Sequence, residues 1–186
     1  MPELTDREYR RFLEVLDRDA IRDVLARVSR GVDRLNAEIL RSAYWPDAVI
    51  YASGFYEGPI EEFIKRLLAA YKDPQIGAAH NICNIKVDVE GDIAWGETYF
   101  LGTSENRPDN ADPFNSLSSG RYLDKFEKRD GEWRILQRTF VFEWTTRLPH
   151  HTAWTQPPLV DIMRRGRRDD KDVVFKMRKS GFPNEG

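Results

Sequence analysis

The chain holds a single cysteine, Cys83, and only three histidines in 186 residues. One thiol excludes an intrachain disulfide and any multi-cysteine metal site. Its place in a predicted strand marks Cys83 as a small buried hydrophobe. His150 and His151 are adjacent in a Pro-rich stretch, where successive side chains of an extended chain point opposite ways. That leaves His80 alone and argues against a histidine zinc site. Glycine-rich phosphate cradles are lacking, with neither G-x-G-x-x-G nor a Walker pattern present, and no serine sits in a G-x-S-x-G elbow. Hydride and phosphoryl chemistry are therefore disfavoured, and no cofactor or metal is expected. An excess of one charge is lacking too. The 29 Lys and Arg against 31 Asp and Glu leave a formal net charge of -2, without the basic footprint of a nucleic-acid binder. No apolar run approaches the ~20 residues that span a bilayer, and MPELTDREYRRF lacks the apolar stretch of a secretory signal. A soluble, cytoplasmic protein with no membrane or nucleic-acid partner is expected.

The length suits one domain with a real core. Thr5-Asp6 can cap a short first helix through about Leu16. Asp17 then caps a second, in which Ile21, Val24, Leu25, Val28, Val32 and Leu35 recur at helical spacing. Asp33 lies on the margin of that apolar stripe. AEILRSAYW predicts a helical turn ended by Pro46-Asp47, and AVIYAS a strand stopped by Gly54. Pro59 opens the cleanest helix, with Glu61 and Glu62 in its first turn and Ile60, Phe63, Ile64, Leu67, Leu68 and Tyr71 on its buried face.

From Ala79 the period changes to two. Ile85, Val87 and Val89 alternate up to the turn Glu90-Gly91-Asp92, and IAWGETYFLGT returns. After the polar loop SENRPDNADPFN come a strand over about 118–128, a turn at Arg129-Asp130-Gly131, and the final strand EWRILQRTFVFEWTT. Helices first, then a strand, a helix and four long antiparallel strands is an α+β order. A strongly curved sheet wrapped around the helices would make a cone with one open end. The predicted division is an N-terminal helix over 1–16, a main domain over 17–146 and a C-terminal extension over 147–186. In that extension the run RRGRRDDKD reads as a solvated face. Trp154, Leu159, Ile162 and Met163 suffice to pack on a neighbour or cover a pocket mouth.

Asp33 at a helix end and His80 at a strand start offer the most concrete chemistry. A carboxylate beside an imidazole fixes the ring tautomer and stabilises the imidazolium formed on proton removal. Arg138, mid-strand among Ile135, Leu136, Phe140 and Phe142, is expected to point inward toward an acid or a substrate oxygen. Tyr51, Tyr99 and Tyr122 lie on strands predicted to line the cavity, with hydroxyls able to hold a substrate oxygen. Trp45, Phe55, Phe63 and Trp95 suggest apolar walls. Phe140, Phe142 and Trp144 alternate onto one face of the last strand and Val141 and Glu143 onto the other, so apolar residues on the outer face call for a homo-oligomer.

The succession VDRLNAEILRSAYWPDAVIYA, GPIEEFI, HNICNIKVDVEGDIAWGETYF and YLDKFEKRDGEWRILQRTF resembles the SnoaL-like branch of the NTF2-like superfamily. The resemblance runs from about Asp17 to Thr146. It rests on the VD, PDA, H-x-x-x-N, GD-x-A and DG-x-W-x-I positions. It implies an NTF2-like cone and, from relatives such as scytalone dehydratase, bile-acid 7α-dehydratase and hexachlorocyclohexane dehydrochlorinase, cofactor-independent elimination by an Asp-His dyad. Asp33 and His80 would take the dyad positions and Arg138 that of a pocket arginine. The implied substrate is a bulky, weakly polar small molecule such as a steroid, polyketide or aromatic alcohol, and the implied assembly a trimer in preference to a dimer. Other members of this group suggest a ligand-binding module, the small subunit of a ring-hydroxylating dioxygenase, or an isomerase or cyclase. Val32 stands where scytalone dehydratase has a tyrosine before its dyad aspartate, and Tyr122 where it has a pocket asparagine.

Overall fold

The structure is a computed structural model that describes residues 4–52, 54–71, 76–150, 157–163 and 166–175. Helix α1 (Asp6–Asp33) is one unbroken helix rather than the two expected. Thr5 caps it through a full capping box with Glu8, which satisfies two of the orphan N–H groups at once. Asp17 starts no second helix because its carboxylate is engaged elsewhere. It accepts from Lys128 Nζ at 2.7 Å and Trp133 Nε1 at 2.8 Å, which ties the helix to the last hairpin. Beyond that tie, Ile21, Val24, Leu25 and Val28 are buried, each contributing roughly 1.5–3 kcal/mol of apolar burial. On the N-terminal side Tyr9, Phe12, Leu13 and Leu16 recur at helical spacing on a different face and remain exposed.

Helix α2 (Ala37–Ala43) is capped by Asn36. It lies so close to α1 that a Cβ on Gly31 would meet Leu40 Cγ at 2.6 Å, so the crossing requires glycine. Strand β1 (Tyr44–Ala52) begins earlier than expected and runs through Pro46. Its register against the last strand slips between Tyr44 and Val49, and this irregularity tolerates a proline that has no N–H to give the ladder. A short strand β2 (Tyr56–Pro59), absent from the sequence reading, leads into α3 (Ile60–Ala70), which Pro59 precedes as N-cap.

Strands β3 (Ala78–Glu90), β4 (Ile93–Asn106), β5 (Phe114–Arg129) and β6 (Glu132–Pro149) form the antiparallel meander. The sheet order is β2-β1-β6-β5-β4-β3, and only the β1·β6 pairing is parallel. This is the expected α+β, NTF2-like architecture: a six-stranded, curved, unclosed sheet with the helices in its concave side. The core joins Ile21, Val24, Leu25 and Val28 of α1 and Phe63, Ile64 and Leu67 of α3 to Ile50, Val87, Phe126, Trp133 and Ile135 of the sheet.

Two expectations about burial fail. Cys83 is exposed, because the register of β3 slips between Ile82 and Ile85 and lets the thiol turn out. The basic run after α4 (Leu159–Ile162) is no solvated face throughout, since Arg168 and Asp172 are buried. Ile162 and Met163 are exposed, while Trp154 lies outside the described residues. No helix among the described residues is long and apolar enough to cross a membrane.

Candidate active site

The fold brings the last residue of α1 against the first turns of β3. Asp33 grips His80 twice. Its Oδ1 lies 2.7 Å from the ring Nδ1, and its Oδ2 accepts the backbone N–H of His80 at 3.0 Å. An ionised carboxylate only accepts, so Nδ1 carries the proton and Nε2 presents a lone pair. His80 pairs with Gly102 across β4, and the ring passes over that glycine with Nε2 3.9 Å from where a Cβ would stand. The two side chains are partly reachable, 28% exposed for His80 and 15% for Asp33. A carboxylate-oriented imidazole with a free, accessible Nε2 is a general base in form.

One row deeper, aromatic rings cover the inner face of the sheet. Phe100 stacks on Tyr122 at 4.4 Å between centroids, Tyr122 meets Phe140 edge-on at 5.0 Å, and Phe142 stands edge-on to Phe100 at 6.2 Å. Phe63 of α3 extends this wall from Phe140 to Tyr56. Gly120 makes the arrangement fit, because a Cβ there would strike Phe100 Cε1 at 2.8 Å and the Val141 carbonyl oxygen at 2.3 Å. Burial pushes the Tyr122 phenol well above the ordinary tyrosine range; the nearby Arg138 guanidinium pulls the other way, and the charges of Asp124 and Asp33 add to the rise. Tyr122 therefore stays a neutral hydroxyl near Asp33.

Arg138 does point inward, as expected, but it has an acid partner rather than an open cavity. Its Nε and Nη2 donate to both oxygens of Asp124 at 2.7 and 2.8 Å, with 1% and 0% of the two side chains exposed. The guanidinium lies 4.1 Å from the Tyr122 ring centroid. Burial pulls Arg138 down, but the Asp124 charge outweighs it and holds the group above the usual arginine range. Beside this pair Tyr44 is buried and pushed up to about 12 by loss of solvent.

Four of the expected lining residues face the other way. Tyr51 pairs with Thr139, and Tyr99 with Arg121, on the convex side, where Arg121 bridges Glu97 and Glu143. Strand parity carries both tyrosines out of the interior. Trp45 also lies outside: its Nε1 donates to the Glu127 carbonyl at 2.9 Å, and Arg129 and Arg134 stack on its ring. Trp95 is exposed under Lys125, and Phe55 is exposed in the β1–β2 turn. Phe100, Phe140 and Phe142 take the wall positions instead. The alternation from Arg138 through Phe140 to Phe142 was the available signal. His150 contacts Glu105 at 2.9 Å, and His151 lies outside the described residues. Among the described residues no group of three or more His, Cys, Asp or Glu side chains converges as a metal site. A separate cleft of about 790 Å³ between α1, α2 and residues 170–175 is lined by charged groups, Arg27, Arg30 and Asp170 among them, and by neither dyad residue.

The inner face of the curved sheet thus carries a wall of packed aromatic rings, with the Asp33–His80 pair at its edge. The chain belongs to the SnoaL-like domain family, which it matches over residues 13–139. No curated protein matches it in sequence. Among solved structures, a hexachlorocyclohexane dehydrochlorinase (LinA) of type 2 superposes with a TM-score of 0.66 at 23% identity, over 78% of this chain and 96% of that one. The LinA-type3 enzyme from Novosphingobium barchaimii gives 0.64 at 23% identity, over 73% and 92%. A candidate scytalone dehydratase from Novosphingobium aromaticivorans gives 0.62 at 21%, over 74% and 90%. At these identities the likeness is one of fold.

Proposed function

We propose that the protein is a cofactor-independent lyase that removes water, or a hydrogen halide, from a bulky and weakly polar small molecule. The observation that carries this reading is the double grip of Asp33 on His80, which leaves Nε2 free and reachable at the edge of an aromatic wall. His80 Nε2 takes a proton from a carbon next to an activating group. The C–H electron pair becomes the new π bond, and the C–O or C–halogen bond breaks with its pair leaving on oxygen or halide. The proton on Nε2 then passes to the departing hydroxide as water or, when a halide leaves, to solvent. Asp33 holds the ring and stabilises the imidazolium between the two transfers. Tyr122, kept neutral by burial, is assigned the hydrogen bond to a substrate oxygen. Arg138, consumed by Asp124, is assigned no direct part. The names of the dehydrochlorinase and dehydratase neighbours agree with elimination.

The test is a screen of hydrophobic secondary alcohols and alkyl halides against the wild-type protein and His80→Gln, read by mass spectrometry for loss of water or hydrogen halide. Product from the wild type alone supports the proposal. Equal ligand binding by both proteins with product from neither replaces it with a binding module.

Assembly as a homo-oligomer, a trimer in preference to a dimer, is part of the same reading. Its support is the set of exposed Tyr51, Trp95, Tyr99, Leu123 and Trp144 side chains on or beside the convex face, apolar surface of the kind that a partner covers. Light scattering at micromolar concentration decides it, and a clean monomer removes it.

A further inference from the structure

Asp33 occupies an electrostatically poor place. It is the last residue of α1, where the helix dipole presents its negative end and disfavours a carboxylate. The backbone there closes in a Schellman turn. Asn36 N–H bonds the Gly31 carbonyl at 2.9 Å and Leu35 N–H the Val32 carbonyl at 3.3 Å, with Leu35 in the left-handed region at φ 48°. That turn does not bond the carbonyl of Asp33 itself.

A residue from far along the chain takes up that oxygen. Arg168 donates from Nε to the Asp33 carbonyl at 3.2 Å and from Nη2 to the Val32 carbonyl at 2.9 Å. Its guanidinium lies 4.4 Å from the Tyr71 ring centroid, and the residue is 3% exposed. Two more contacts fasten the same segment to the same helix end: Asp172 faces Arg34 Nε at 3.8 Å, and Phe175 lies under Arg30 at 5.5 Å. Burial draws the Arg168 guanidinium below the usual arginine range, against the pull of Tyr71 and Asp33. Its Nη1 is buried without a partner among the described residues.

We propose that Arg168 is a positioning residue for the Asp33–His80 pair, acting through the last carbonyls of α1. By clamping the Val32 and Asp33 carbonyls it sets the direction in which the Asp33 side chain leaves the helix, and its positive charge offsets the dipole that opposes the carboxylate. The segment carrying it lies beyond the residues matched to the family, 13–139, so the device belongs to this chain's C-terminal extension. As it concerns catalysis, the inference rests on the elimination reading.

The experiment uses the full chain with labelled histidine and the variants Arg168→Gln and Arg168→Lys. The first readout is the far-downfield proton resonance of His80 Nδ1–H, which reports the bond to Asp33 without any substrate. In Arg168→Gln this resonance is expected to broaden into water exchange, and in Arg168→Lys, which keeps charge but not the fork, to be partly retained. On a substrate found by the screen, kcat of the Gln variant is expected to fall about 10- to 100-fold, the range for removing a partner that orients a functional group, with KM little changed. A resonance of wild-type strength in both variants overturns the proposal, even if melting temperatures drop, because Arg168 is then only a helix cap. Should the Gln variant not fold, the Lys variant decides on the same resonance. A wild type without turnover whose resonance still collapses on Arg168→Gln keeps the positioning role and removes the lyase reading instead.

Discussion

Asp124 with Arg138 and Asp33 with His80 are both carboxylate–base pairs on the inner side of the sheet, each closed at 2.7 Å. The first joins directly facing positions of β5 and β6 and is sealed from solvent. Every oxygen and two arms of the fork are committed, and a guanidinium does not give up its proton at any working pH. The second joins a helix end to a strand edge, is partly reachable, and uses a base that can release a proton. One pair can only hold. The other can hold and exchange. Burial and the identity of the base separate a fastening from a reagent, although contact distance and geometry are alike.

Removing the exchangeable base gives the largest expected effect. His80→Gln should lower kcat on a confirmed substrate by 10²–10⁴-fold, roughly 3–5 kcal/mol of barrier, while isothermal titration shows binding retained and the melting temperature stays near that of the wild type. Asp33→Asn should follow closely, since an amide neither stabilises the imidazolium nor secures the tautomer. A His80→Gln protein that melts far below the wild type would erase the contrast, because the dyad would then be a fastening too.

The sealed pair should behave in the opposite way. Asp124→Ala is expected to cost about 3–5 kcal/mol by leaving a buried guanidinium uncompensated, seen in urea unfolding. Asp124→Leu combined with Arg138→Met should recover most of that loss, as apolar replacement of a buried pair often does. A double variant as unstable as the single one would mean that the pair does more than compensate its own burial. The smallest effect should come from Leu35→Gly. Relief of the left-handed backbone at φ 48°, worth about 1–2 kcal/mol, is offset by lost side-chain packing, so stability should move by less than about 1 kcal/mol. A larger gain would locate real strain beside the dyad.

The meander of β3 to β6 was legible because Ile85, Val87 and Val89 alternate and the turns at Gly91 and Gly131 announce themselves, both with positive φ. Asp33 and His80 stood out because few other residues carry usable chemistry. What escaped the sequence was set by distant partners. Asp17 was read as a cap because its engagement by Lys128 and Trp133 crosses more than a hundred residues. Whether Arg138 meets an acid or a substrate oxygen was open in the sequence, because its neighbour across the ladder, Asp124, lies in another strand whose register only the fold defines. Tyr51 and Tyr99 depended on parity, with no local cue to the buried side. Arg168 was hidden in a basic run, where composition speaks for solvent and a single buried member leaves no periodic trace.

One further feature of β6 bears on how this fold can change. Opposite Ser119 and Gly120 stand Trp144 and Phe142, so Glu143 is a supernumerary residue in the ladder. It works like an inserted letter that shifts a reading frame: before it the even-numbered residues Arg138, Phe140 and Phe142 look inward, and after it the odd-numbered Thr145 does, bonded to Ser118. Loss of one residue elsewhere in a strand exchanges every later side chain between faces. Loss of Glu143 would leave each remaining residue facing as it does now, giving up the bend and the contact with Arg121. The rim of the interior can thus be re-spaced by a one-residue deletion that leaves the wall and the base in register.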